Sequence, residues 1–477
     1  MDNNLEKGVK QHREGGVRQM IAIALPMVVS SSCDTLMVFT DRLFLSKLSP
    51  EFMNAAMGGG LTAFMMISFF LGLTGYTTAL VAQYFGARRK KQCAIVAAQA
   101  LIFSLLVYIP ILVCRPLAHG FFKVMGITPA QLAPQILYFD ILMFGVIFSL
   151  CRSSLSGFFS GVGRTRIVMI ASCTAFVVNI VFNYIFVFGK FGVPAFGIAG
   201  SACGTIIGGL CGVLVLAAAY FGRKNRIEFH VMESLKFDKA VFKKLLRFGS
   251  PTGVEFFMNM LAFDAVVLAF QAYSPAAATA ATIVFNWDMV SFVPLVGVEV
   301  GVMSLVGRFM GAGKPEVAHM SVMSGLKMGM MYSSVVFVFF VIFPEHLVNI
   351  FRPNVYDTVF VSAVPTAIFM VRLAALYVLV EAVLIVLIGA LRGAGDTLWA
   401  MAMSVSAHWI MLAIALISFH VLKVSAETAW VFMVMLFIVL AFVVGLRYRH
   451  GAWKKIKVIH EIEPAMVGDG FHEISDL

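Results

Sequence analysis

The two halves of this 477-residue chain repeat each other, and each half is a series of long apolar runs. Leu25-Pro26 recurs as Ser250-Pro251, Ser49-Pro50 as Ser274-Pro275 and Gly86-Ala87 as Gly311-Ala312, each pair 225 residues apart. Gly157, Gly161, Gly163 and Thr165 recur as Gly389, Gly393, Gly395 and Thr397 at an offset of 232. A duplicated polytopic membrane chain predicts an alternating-access transporter, with its site between the halves and one half rocking against the other. The alternative is an old duplication kept for packing, as in some channels and membrane enzymes.

The apolar runs are about 20 residues long, enough to cross a hydrocarbon core each time. They are continuous rather than alternating, which favours helices over a barrel. With 60% hydrophobic and 13% charged residues, the chain lies far from ordinary globular composition, where about 25% are charged. Its net charge of +11 could suggest nucleic acid, but the basic residues lie between the apolar runs, as membrane topology requires. The cysteines Cys33, Cys93, Cys114, Cys151, Cys173, Cys203 and Cys211 all fall in the first half. They show no CxxC or Cys/His ligand spacing, so neither a disulfide framework nor a metal cluster is expected. No small-residue cleavage motif follows the first apolar run, which is expected to be a retained helix.

Twelve spans are predicted, at 17–44, 54–83, 93–114, 134–159, 166–188, 197–221, 241–271, 277–306, 317–343, 361–390, 399–421 and 427–446. Alternating sides along the chain assigns 26 Lys and Arg to one side and seven to the other, counting Arg392 in a loop on the basic side. The positive-inside bias then places both termini in the cytoplasm. The predicted organisation is a cytoplasmic segment 1–16, a first lobe 17–221, a linker 222–240, a second lobe 241–446 and a cytoplasmic tail 447–477. An even number of spans per half relates the repeats by an axis along the membrane normal. The Arg223-Lys224-Asn225-Arg226 run is expected to be a solvated, topology-setting loop rather than a lipid headgroup clamp.

These motifs resemble the multidrug and toxic compound extrusion (MATE) transporters. The matching pieces are Ala24-Leu25-Pro26, Phe39-Thr40-Asp41, 81–87, Asn179 through Gly189, 197–202, Phe248-Gly249-Ser250-Pro251 and 387–397. Their order and duplication cover about residues 17–446. The resemblance implies an all-α integral membrane protein with twelve transmembrane helices in two pseudo-symmetric six-helix lobes.

Carboxylates inside spans cost about 2.5–3.5 kcal/mol each on insertion scales and by default mark an ion or substrate path. Asp34, Asp41, Asp140, Glu255, Asp264, Asp288, Glu299 and Glu381 lie in or at the ends of spans, against only Arg152 and Arg372 as comparably placed bases. The excess acids must be protonated, hold a metal ion, face water or await a cationic substrate. Tyr377 precedes Glu381 by four residues, on one helical face. By resemblance the two form part of a cation site in the second lobe; the alternative is a protonated Glu hydrogen-bonded inside the bundle. The family's acid in helix seven aligns nearer Asn259, one turn beyond Glu255, so the carboxylate has moved one turn along the same face. Asn286 and Asp288 are expected to complete the substrate cavity. Asp41 matches the first-lobe acid that the family uses in proton coupling and cation binding, with an ion pair to Arg42 as the alternative. Asn179 and Asn183 match positions lining the first-lobe pocket. Some members carry Asp at the second of these; Asn183 removes that titratable group.

The glycine loops at 161–165 and 393–397 lack a Walker lysine and are expected to be turns. His408 and His420 have no catalytic context, and structural roles are expected. The 29 Met and 45 Phe residues suit adaptable, cation-attracting surfaces and equally fill membrane helices.

The expected function is secondary active efflux of cationic amphipathic organic compounds in exchange for Na+ or H+, by a monomer in the cell membrane. No enzymatic activity, cofactor or nucleic-acid partner is expected. Cation or proton coupling falls to Asp41, Glu255, Tyr377 and Glu381, with Na+ held, if at all, at the last three. The substrate cavity falls to Asn179, Asn183, Asn259, Asn286 and Asp288. Two rivals remain. A lipid-linked precursor flippase of the same superfamily would want several bases in its cavity, and a polytopic membrane enzyme would need a His/Asp or metal motif.

Overall fold

A computed structural model describes residues 14–124, 129–352 and 358–459. Lys7, Lys10, Arg13 and the tail beyond 459, which entered the charge count and the predicted organisation, lie outside these residues. Among the described residues twelve helices are long and apolar enough to cross a membrane. They are α1 (Val17–Ser46), α2 (Glu51–Gly86), α3 (Lys90–Lys123), α4 (Gln131–Gly161), α5 (Thr165–Phe188) and α6 (Ile198–Tyr220) in the first lobe. The second lobe holds α7 (Lys239–Tyr273), α8 (Pro275–Gly311), α9 (Pro315–Ile342), α10 (Thr358–Ala394), α11 (Thr397–Val421) and α12 (Ala426–His450).

The repeated motifs act as paired starts, stops and contacts. Ser49 and Ser274 cap equivalent helices, their Oγ atoms accepting from the Phe52 and Ala277 amides at 3.1 Å each, as expected for serine at an N-cap. Gly163 and Gly395 hold left-handed φ of 78° and 97° and turn the chain after α4 and α10. The glycine loops are therefore turns. Arg392, placed in a loop from the sequence, belongs to α10 instead.

Helices α1 and α7 each cross from one lobe to the other. Met20, Ile23 and Ala24 of α1 lie in a core with Val298, Val302 and Val306 of α8, whereas Leu45 at its far end packs with Tyr138 and Val187 of the first lobe. In mirror fashion, Val241 and Leu245 of α7 join the first-lobe core around Tyr76 and Phe158, and Val266 and Phe270 join the second-lobe core. Each crossing helix contains its repeat proline, Pro26 or Pro251, where one backbone hydrogen bond is lost and bending is eased.

At the end of the bundle where α1 begins and α12 ends, the lobes meet through the repeat glycines. A Cβ at Gly86 would strike the Arg308 carbonyl oxygen, and one at Gly311 the Gln83 carbonyl oxygen. Residues 83 and 308 are themselves 225 apart, so the contact is reciprocal between the repeats. Small residues permit this approach of helix backbones. Gln83 Nε2 donates to the Gly393 carbonyl at 2.9 Å, and Ser304 Oγ to the Ser160 carbonyl at 2.6 Å. The linker is tied to the same end, where Arg164 reaches Asn225 and Glu228.

Candidate functional site

Three clusters of polar groups within the spans bear on the site. In the first lobe, Asp41 on α1 is buried and accepts from Asn183 on α5 and from Thr205 Oγ1 on α6, the latter at 2.7 Å. Asn179, one turn before Asn183, donates to Thr205 at 3.3 Å. Asp41, Asn179 and Asn183 are thus brought together, and Thr205 joins them. The Asp41–Arg42 ion pair held open from the sequence is not formed among the described residues. The Oδ1 atoms of both asparagines and Ser201 Oγ are buried without a partner. Unmatched acceptors around a carboxylate favour a small cation or a proton-bearing group there.

Asp41→Asn is expected to lose about 1–3 kcal/mol, because an amide nitrogen would face a donor that now meets a carboxylate oxygen. Arg42→Ala is expected to stay within about 0.5 kcal/mol of wild type, as surface changes do. Thermal melts of the purified variants decide this; equal losses would restore the ion pair. Transport by Asp41→Asn is expected to change its pH dependence.

Beside this pocket, Arg152 Nη2 bonds both carboxylate oxygens of Asp34 at 2.6 and 2.7 Å and Ser172 Oγ at 2.9 Å. In the second lobe the positions equivalent to Asp34 and Ser172 are Asn259 and Ser404, by the offsets of 225 and 232. They hydrogen-bond directly, Asn259 Nδ2 to Ser404 Oγ at 2.8 Å. Asn259 is therefore occupied within its own lobe, although its Oδ1 has no partner.

The second cluster is built on α10. Tyr377 donates to Glu381 Oε1 at 3.0 Å across one helical turn, and Glu381 is buried. Asp288 of α8 lies within electrostatic reach of both, and Tyr332 of α9 within reach of Glu381. Glu381 Oε2 and Asp288 Oδ1 are buried with no partner. Asn286 does not belong here. Two residues along a helix turn the side chain about 200° away, and Asn286 is exposed, with its amide returned to the Thr282 carbonyl at 2.7 Å.

Glu255 forms the third cluster and leaves the expected group. It pairs with Arg392 Nη2 at 2.9 Å, and Arg392 Nη1 bonds Glu299. Arg392 lies eleven residues beyond Glu381, about 16 Å along the helix axis, so the structure groups Glu255 with Arg392 and Glu299 rather than with Tyr377 and Glu381. Among the described residues no three His, Cys, Asp or Glu are grouped to hold a metal. The sequence count of bases missed Arg392, and nothing in the spacing links positions 255, 299 and 392.

With Arg392 added, the balance of the spans is sharper. Asp34, Asp140, Glu255 and Glu299 have basic partners. Asp41, Asp264, Asp288 and Glu381 have none among the described residues. His408 Nδ1 donates to the Ser404 carbonyl at 2.8 Å and packs edge-on against Phe437; His420 lies exposed at the end of α11.

The MatE family model matches residues 26–185 and 251–417. The multidrug resistance protein MdtK of Yersinia pseudotuberculosis serotype O:1b (strain IP 31758) is 27% identical over 398 residues, covering 83% of this chain and 85% of that protein. MdtK of Yersinia enterocolitica serotype O:8 is 27% identical over 399 residues, with the same coverage. Among solved structures, a MOP superfamily transporter from Pyrococcus furiosus Vc1 superposes with a TM-score of 0.84 at 22% identity, over 92% of this chain and 97% of that one. An outward-facing multidrug resistance MATE transporter of that superfamily gives 0.84 at 21% identity, with the same coverage.

Proposed function

The chain belongs to the MatE family of transporters, and on that premise we propose that it is an efflux antiporter expelling cationic amphipathic organic compounds in exchange for Na+ or H+. The observation that supports this most is the set of four span carboxylates without basic partners, found in both lobes of one twelve-helix fold. A carboxylate in low dielectric must be neutralised, and an incoming ion and an organic cation compete to do it. Each then drives the transition the other opposes. The membrane potential adds about 2.3 kcal/mol per charge per 100 mV.

The positive-inside bias supports a plasma-membrane protein with both termini in the cytoplasm. The reciprocal glycine contact then closes the cytoplasmic side, and the conformation faces outward. Asp41 with Asn179, Asn183 and Thr205, and Glu381 with Asp288 and Tyr377, are the proposed coupling groups. The flippase reading is weakened because Arg152 and Arg392 are already held by carboxylates.

Charge selectivity tests the reading. In proteoliposomes with Na+ and H+ gradients imposed separately, a monovalent hydrophobic cation such as an ethidium-like dye is expected to be exported. A matched anionic dye is expected to be ignored, because acids raise an anion's free energy in the cavity. Export of the anion alone would overturn the carboxylate argument and bring the flippase forward.

A further inference from the structure

We propose that Cys33 and Cys173 form a dithiol modification site that closes to a disulfide and staples α1 to α5 beside the first-lobe carboxylates. Their Sγ atoms lie 3.6 Å apart across the two helices. All seven cysteines are free thiols, and no other two are within hydrogen-bonding distance of each other. The backbones are registered at this level by a second contact, Ser30 Oγ to Ser172 Oγ at 2.6 Å, one residue from Cys173 and three from Cys33. Arg152 adds a third tie, bridging Ser172 to Asp34. A disulfide has an S–S length of about 2.05 Å, so closure needs the sulfurs to approach by roughly 1.6 Å, within the reach of side-chain rotation and a small helix shift.

The Asp34 side chain, held by Arg152, is 43% exposed although it lies within a span, and charged pairs so placed face the bundle interior or a water-filled cavity rather than lipid. Cys173 is half-buried and Cys33 buried, so a small neutral oxidant suits the site better than a bulky or charged one. With a peroxide as oxidant, one thiol loses its proton and its sulfur attacks a peroxide oxygen, giving a sulfenic acid and one water. The second thiol then attacks that sulfur and displaces the hydroxyl, which leaves as a second water. Two thiols and one hydrogen peroxide become one disulfide and two waters. A reductant dithiol reverses the bond by exchange.

The crosslink falls where it can act on transport, a consequence that rests on the antiporter reading. Helix α1 begins in the second-lobe core and ends in the first, so rocking of the lobes must move some of it relative to α5. Cys33 lies beyond Pro26 and two turns before Asp41, while Cys173 precedes Asn179 and Asn183 on α5. Fixing the two helices here holds Asp41 against its asparagine partners.

The test uses the full-length protein in liposomes exposed to hydrogen peroxide, followed by blocking of free thiols, proteolysis and mass spectrometry. A Cys33–Cys173 linked peptide is expected, removed by dithiothreitol and absent from Cys33→Ser and Cys173→Ser. Efflux of the cationic dye is expected to fall to the level of protein-free liposomes on oxidation, return on reduction, and resist peroxide in Cys33→Ser. Separate sulfinic acids, or linkage of either residue to a different cysteine, would overturn the dithiol site. Formation of the link with unchanged dye efflux would overturn its effect on transport. The linked peptide is read without transport, so failure of the antiporter reading is seen separately, as absence of dye efflux from untreated protein.

Discussion

Glu381→Gln is expected to abolish gradient-driven efflux while leaving the protein inserted, expressed and as thermally stable as wild type. Gln keeps the volume of Glu and can still accept from Tyr377, whose hydroxyl lies 3.0 Å from Oε1, so the bundle loses little. What it loses is a site that can exchange a proton or Na+. Asp288 lies within electrostatic reach of Glu381, and each carries a buried oxygen with no partner. Two carboxylates so placed cannot both be ionised without a cation between or beside them. On the proposed antiporter reading the pair shares its neutralising ion, and one permanently neutral member ends the exchange. Dye efflux should fall to the background of protein-free liposomes with either gradient. Efflux at the wild-type rate would remove the second-lobe cluster from coupling.

The sequence made some of this legible and left other parts hidden, for physical reasons that differ by residue. The span count follows from apolar length alone, and the capping serines and turn glycines follow from local backbone needs. Tyr377 and Glu381 were readable as a pair because a helix brings positions four apart onto one face. Asp41 with Asn183 was not readable from spacing, being 142 residues apart; the family resemblance brought those positions to notice, and Thr205 went unseen because a threonine in a span is ordinary. Arg392 was misassigned because it stands two residues from the end of α10, where a positive-inside tally counts it as a loop charge. Its side chain turns back into the bundle instead. Asn286 and Asp288 were both expected in the substrate cavity, but positions two apart on a helix point nearly opposite ways.

Arg392→Met is expected to be the most destabilising of these substitutions. The guanidinium stands between Glu255 on α7 and Glu299 on α8, both largely buried, and so joins three helices of the second lobe at one point. Removing one partner of a buried pair leaves an uncompensated charge and costs about 3–5 kcal/mol; here it leaves two facing carboxylates. They can escape only by taking up protons, at a cost that grows with pH. The melting temperature of the purified variant should therefore lie well below wild type, more so at alkaline than at acidic pH. Arg392→Lys should fall between, since a compact ammonium cannot reach two carboxylates as the planar fork does. Adding Glu255→Gln and Glu299→Gln to Arg392→Met should recover most of the loss, because the orphaned charges go while the packing defect stays. A triple variant no better than the single one would mean that the loss is packing, not charge. Glu381 and Asp288 are untouched in the triple variant, so it should still export the cationic dye down the same gradients. Loss of export there, with stability regained, would return Glu255 to the coupling machinery.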